Sequence, residues 1–198
     1  MIIALLFFCS LISQAQQIVP YDPKEEIVYD GKRYRVHNNW LSAGMGWAVN
    51  THRELDQKTV AVDYNFHIRR QYFQAGAFMS GNNFTPGNNY NFHVGFGLRK
   101  ETARYNLAAF VGPSASYFYR PLPDTLNYDI SRLYNRVGAY ASVQAVYKIK
   151  YDVGIGLEVF GDYNQTQSIF GTRIILYFSG AYRGIKKGHY IDSKKSKG

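Results

Sequence analysis

From Trp40 onward apolar and non-apolar residues alternate with a period of two, and no 3.6-residue period interrupts them, which is the pattern of strands with one apolar face. The first segment places Leu41, Ala43, Met45, Trp47 and Val49 on one side and Ser42, Gly44, Gly46, Ala48 and Asn50 on the other. The cleanest sets Val60, Val62, Tyr64, Phe66 and Ile68 against Thr59, Ala61, Asp63, Asn65, His67 and Arg69. The same alternation marks Phe73 to Met79, Tyr90 to Leu98, Tyr105 to Tyr117, Val137 to Tyr147, Val153 to Val159 and Phe170 to Phe178. This predicts eight strands, many longer than the usual five or six residues.

The links between segments differ in length. Tight turns are predicted at Arg70-Gln71, Lys100 to Ala103 and Ile149-Lys150-Tyr151; longer links run Thr51 to Lys58, Gly81 to Asn89 and Arg120 to Leu133, with a short exception near Gln165-Thr166. Short connections at one end and longer ones at the other are the habit of an up-and-down transmembrane barrel with periplasmic turns and extracellular loops.

Alternation alone does not say which face looks inward, because a soluble lipocalin-like barrel buries the face that a membrane barrel turns to lipid. The non-apolar face decides. It mixes glycines (Gly44, Gly76, Gly95, Gly138 and Gly156 among them), bulky rings (Trp40, Tyr72, Phe78, Phe110, Tyr140, Phe160) and charges (Asp63, Arg104, Arg136, Glu158, Arg173), as a filled lumen would. The opposite face carries almost no charge mid-strand, and lipid requires that, since an ionised group at the midplane costs about 2–4 kcal/mol. Two aromatic belts are predicted: Tyr105, Tyr147 and Tyr151 at the short-turn rim, and Trp47, Tyr90, Tyr117, Tyr119 and Tyr163 at the other.

On this pattern the stretch from Asn39 to about Tyr182 resembles the small eight-stranded outer-membrane β-barrel family of the OmpA-barrel type. Gly171-Thr172-Arg173-Ile174-Ile175-Leu176 fits part of the last-strand signal by which such barrels are recognised for assembly; Ile169 and the sixteen residues after Tyr182 depart from it. The resemblance implies an all-β, eight-stranded antiparallel barrel in the bacterial outer membrane.

The ends are read separately. Residues 1–15 have the apolar run and small-residue Ser13-Gln14-Ala15 site of a signal peptide, though no Lys or Arg precedes the run, and its removal would take away Cys9, the one cysteine. Residues 16–38 are predicted to be an extended periplasmic segment, 39–182 the barrel and 183–198 a basic periplasmic tail; the tail carries six Lys and Arg against Asp192. That tail accounts for much of the net charge of +9, which therefore does not point to nucleic acid.

Candidate chemistry lies inside the lumen. Glu158 and Arg173 are expected to pair across neighbouring strands, and Lys148 and Asp152 across the turn at Ile149 to Tyr151, with Asp63, His67, His93 and Gln144 also inward. A lumen of eight strands has room for side chains only, so these groups read as a polar plug; a proton or ion pathway is the alternative. No catalytic residues, metal ligands or cofactors are predicted, because cysteine is absent from the mature chain and the histidines are scattered singly. The expected role is a non-enzymatic structural or interaction subunit, within a larger transport, secretion or assembly complex. Its partners would be outer-membrane lipid and outer-membrane or periplasmic proteins reached through the termini. A narrow pore, and a lipid-modifying enzyme drawing on His52, Asp124 or Asp129 at the outer rim, are the alternatives.

Overall fold

A computed structural model describes residues 25–51, 55–81, 89–121 and 131–185. The chain forms a hairpin, β1 (Glu26–Tyr29) and β2 (Lys32–Arg35), then eight long strands: β3 (Trp40–Asn50), β4 (Leu55–Ile68), β5 (Gln71–Gly81), β6 (Asn89–Glu101), β7 (Tyr105–Pro121), β8 (Ser131–Lys150), β9 (Val153–Asn164) and β10 (Ser168–Ser179). A short β11 (Tyr182–Ile185) follows. Strands β3 to β10 pair antiparallel with their sequence neighbours, and β10 pairs with β3 to close the barrel. Closure leaves no free edge, so every backbone donor and acceptor along the ladder can be satisfied without water.

The faces sort by solvation. Val62, Phe92 and Leu157 point out of the barrel and are 50%, 55% and 60% exposed, whereas Glu158 and Arg173 are buried within it. The outward band continues through Val94, Val111, Val143, Val159 and Ile174. An apolar surface of that extent is unstable in water and stable against acyl chains. Inside, Gly46 lies so close to β10 that a Cβ there would collide with the Thr172 carbonyl.

Three features differ from the sequence expectation. Residues 26–35 do not run as extended single chain: an Asp30-Gly31 turn with both residues left-handed (φ 50° and 69°) folds them into a hairpin. The hairpin pairs with β11, so Arg183 belongs to a three-stranded sheet rather than to a tail. The predicted long link from Arg120 to Leu133 is shorter, because the β7–β8 ladder continues to Pro121↔Ser131, beyond the last β6 and β9 partners of these strands at Tyr117 and Gly138. The signal-peptide residues 1–15, the loop residues His52, Asp124 and Asp129, and the tail from 186 onward lie outside the described residues.

Candidate functional site: the filled interior and its short-turn rim

The interior is built in three tiers by residues that alternate with the outward band. At mid-height Arg173 on β10 sits opposite Glu158 on β9 in the strand register, with Nη1 3.0 Å from Oε2. The Arg173 Nε donates to Thr59 Oγ1 at 3.2 Å, and its guanidinium lies 3.4 Å from the Phe160 ring centre and 4.7 Å from that of Phe78. Gln144 donates to the other oxygen of Glu158 at 3.2 Å. A second pair joins Asp63 on β4 to His93 on β6 (Oδ1 to Nε2, 2.9 Å), and Tyr140 stacks on the His93 ring at 3.7 Å. Charge, hydrogen bonds and rings thus fill one cross-section, the condition under which buried ions are tolerated.

Towards the long-loop end the buried Asp162 carboxylate accepts from the Ser114 hydroxyl and, at 3.0 Å, from Ser116. Ser116 in turn accepts from Asn91 at 3.0 Å and Asn164 at 3.4 Å. At the short-turn end Arg99 lies 4.2 Å above the Trp40 ring and pairs with Glu101 at 2.9 Å. It also donates to the Tyr177 hydroxyl at 3.0 Å and to the Asn38 carbonyl at 3.1 Å.

Several predicted site residues stand elsewhere than expected. Lys148 does not pair with Asp152: its ammonium bonds Glu101 and the Thr102 carbonyl and rests 3.9 Å from the centre of the Tyr151 ring. The register sets Lys148 opposite Gly154, so Asp152 falls in the turn, where its backbone carbonyl accepts from Ser179. Tyr151 is no belt residue; it is buried against Tyr34 and Ala181 of the small-sheet region. Arg104 and Arg136 are exposed: Arg104 lies in the turn before β7, and Arg136, bonded to Thr166, lies on the part of β8 beyond its last β9 partner at Gly138. His67 sits at the short-turn rim, its Nδ1 3.2 Å from the Arg69 carbonyl.

Of the other belt tyrosines, Tyr105 and Tyr147 meet edge to face at 5.6 Å on the outer surface, and Trp47, Tyr90 and Tyr163 are exposed at the far end with Tyr117 half-buried. The Tyr119 side chain lies outside the described ones. The sequence places Arg99 on the same face as His93, Gly95 and Gly97 but gives it no role, and sequence reasoning missed Glu101 and Asp162. Glu101 continues the inward register of Gly95, Gly97 and Arg99, a signal obscured by placing the turn at Lys100. Among the described residues no three His, Cys, Asp or Glu side chains gather to hold a metal.

No family model matches the chain, and no curated protein matches it. Solved structures do. The neisserial surface protein A aligns with a TM-score of 0.55 at 9% identity, over 71% of this chain and 95% of that one. Ail, the attachment invasion locus protein of Yersinia pestis, aligns with a TM-score of 0.53 at 9% identity, over 74% and 97%. The N-terminal β-barrel domain of Pseudomonas aeruginosa OprF aligns at 0.52 and 10% identity, over 72% and 98%. The chain has the fold of the small eight-stranded outer-membrane β-barrels.

Proposed function

We propose that this is a non-enzymatic protein of the bacterial outer membrane whose barrel is a rigid, plugged scaffold. It serves as a structural or interaction subunit, and its contacts with partner proteins are made by the parts that leave the bilayer. The observation that carries this reading is the occupancy of the lumen: the buried Arg173–Glu158 pair is held between Phe160, Phe78 and Gln144, where a conducting path would need water. The outer band of Val94, Val111, Leu157 and Ile174 supports membrane residence.

Two features outside the bilayer favour an interaction role. The β7–β8 ribbon projects beyond its neighbours at the long-loop end, and the β1–β2–β11 sheet adds an ordered element at the other. A membership in transport, secretion or assembly machinery would use the latter, since it faces the periplasm in the orientation set by the short turns. The test is photocrosslinking in native membranes from a probe at Val28, which is 48% exposed on β1. Capture of one defined neighbour is the expected result; a protein that is always recovered alone would end the interaction reading. Planar-bilayer recordings should be silent, and stepwise conductance would replace the plug with a pore.

A further inference from the structure

At the short-turn rim, where the small sheet meets the barrel, lies a cavity of about 460 Å³. Its walls bring together residues that the chain keeps far apart. Arg35 comes from β2, Arg183 from β11, and the His37 and His67 rings stand 6.1 Å apart. Its lip is Leu41, Tyr64 and Phe178, which are register neighbours on the outer face (Leu41↔Tyr64 and Phe178↔Leu41) and are 40%, 48% and 45% exposed. The cavity therefore opens directly onto the band that faces acyl chains.

The charges at this place are unequal. Arg33 on β2 is paired with Glu26 at 3.0 Å, but among the described residues neither Arg35 nor Arg183 has an acidic partner. The Glu25 carboxylate stands 3.8 Å from His37 Nε2 and does not line the cavity. Asn39 is occupied locally, donating to the Tyr64 hydroxyl at 3.1 Å and accepting from the His67 amide at 3.2 Å. Around the same rim Arg69, Arg70, Lys100, Arg104 and Lys150 are exposed, which raises the positive potential near the opening.

Two guanidinium groups without acidic partners among the described residues, beside an apolar lip, match one chemistry: a phosphate ester attached to hydrocarbon. We infer that this cavity is a binding site for an anionic phospholipid of the periplasmic leaflet, with the phosphate between Arg35 and Arg183 and the acyl chains lying over Leu41, Tyr64 and Phe178. The site bridges β2, β11 and the barrel, so an occupied site ties the small sheet to the membrane. The inference rests on the proposed membrane residence, and the experiment separates the two.

The test uses the full-length protein reconstituted in phosphatidylcholine vesicles that carry spin-labelled phosphatidylglycerol or spin-labelled phosphatidylcholine, with the motionally restricted lipid fraction measured by electron spin resonance. The parent protein should restrain phosphatidylglycerol about fivefold more than phosphatidylcholine, an effect expected of a charged headgroup site. The double variant Arg35→Gln/Arg183→Gln should lose most of that preference. The variant Arg69→Gln/Arg70→Gln, which removes the same charge from the rim outside the cavity, should retain most of it.

Equal losses in the two variants would reduce the effect to diffuse rim charge and overturn the site. Saturable binding of inorganic phosphate that Arg35→Gln/Arg183→Gln abolishes, in a protein with no lipid preference, would mean a free-phosphate site and would overturn the lipid assignment. Protein that inserts but shows no preference refutes this inference alone; protein that does not insert removes the membrane reading beneath it. Heat-modifiable gel migration confirms that each variant is folded.

Discussion

The Tyr34 ring stacks on the Tyr151 ring, their centres 4.6 Å apart and their planes 30° from parallel. One belongs to the hairpin and the other to the β8–β9 turn, so this contact fastens the small sheet to the barrel. Tyr29 adds a tilted contact to Tyr151 at 6.4 Å, and Lys148 lies against its ring. Removing the ring with Tyr151→Ala should cost the small sheet about 3 kcal/mol of local stability. Amide exchange at Arg35, which donates to the Ala181 carbonyl at 2.8 Å, should accelerate while the Arg173 amide in the barrel stays protected. Tyr151→Phe keeps the ring and should change little; equal acceleration in both variants would show that the stack is incidental.

The Glu158–Arg173 pair should behave as a buried pair does. Glu158→Gln leaves a guanidinium without its counter-charge and should lower barrel stability by about 3–5 kcal/mol. Glu158→Gln/Arg173→Met removes both charges and should recover much of that loss. Urea unfolding in detergent micelles measures both, and a double variant no better than the single one would contradict the pairing.

Gly76 lies beside the second pair. A Cβ there would collide with the Asp63 carboxylate and stand 2.7 Å from His93 Nε2. Both side chains are caged, so Gly76→Ala should destabilise by about 1–3 kcal/mol. The outward-facing Ala75→Val, one residue away, should be near neutral by the same unfolding assay. A Gly76→Ala barrel as stable as the parent would mean that the lumen has slack.

The pH response of the hairpin junction follows from His37, outside the spanning strands. Burial, the largest influence, pushes its pKa below the ordinary 6.5; Glu25 opposes it, His67 and Arg99 add to the lowering, and Glu101 opposes more weakly. The folded junction prefers neutral imidazole, whose Nδ1 lies 3.2 Å from the Tyr72 hydroxyl. A base with a depressed folded pKa contributes stability that is fully present above the unfolded value and lost as pH falls through the folded one. Acidification through and below 6.5 should therefore loosen the junction. An NMR titration of His37 should show a midpoint under 6.5, and one at or above that value would reverse the argument.

The legibility of this chain varies by residue. The outward run Tyr90, Phe92, Val94, Phe96 and Leu98 can be read directly, since a strand puts every second side chain on one face and lipid forbids charge there. Glu158 and Arg173 were readable too, because a short link between consecutive strands sets the register. Lys148 was misread for the complementary reason. Its partner Glu101 lies two strands away on β6, across β7, and the stagger of the closed sheet, not sequence distance, brings them together. The small sheet was missed because four-residue strands carry too few positions for alternation to register, and because β11 joins β2 across almost the whole chain.

The sequence by itself determined the two faces of every long strand and hence that the barrel is filled, because periodicity and charge exclusion are local properties. The tertiary structure alone decided which buried groups meet, that Tyr151 turns from the membrane belt to Tyr34, and that Arg35 and Arg183 share a cavity. Those relationships are set by barrel closure and by the return of β11 to the first hairpin, and neither leaves a mark on neighbouring residues.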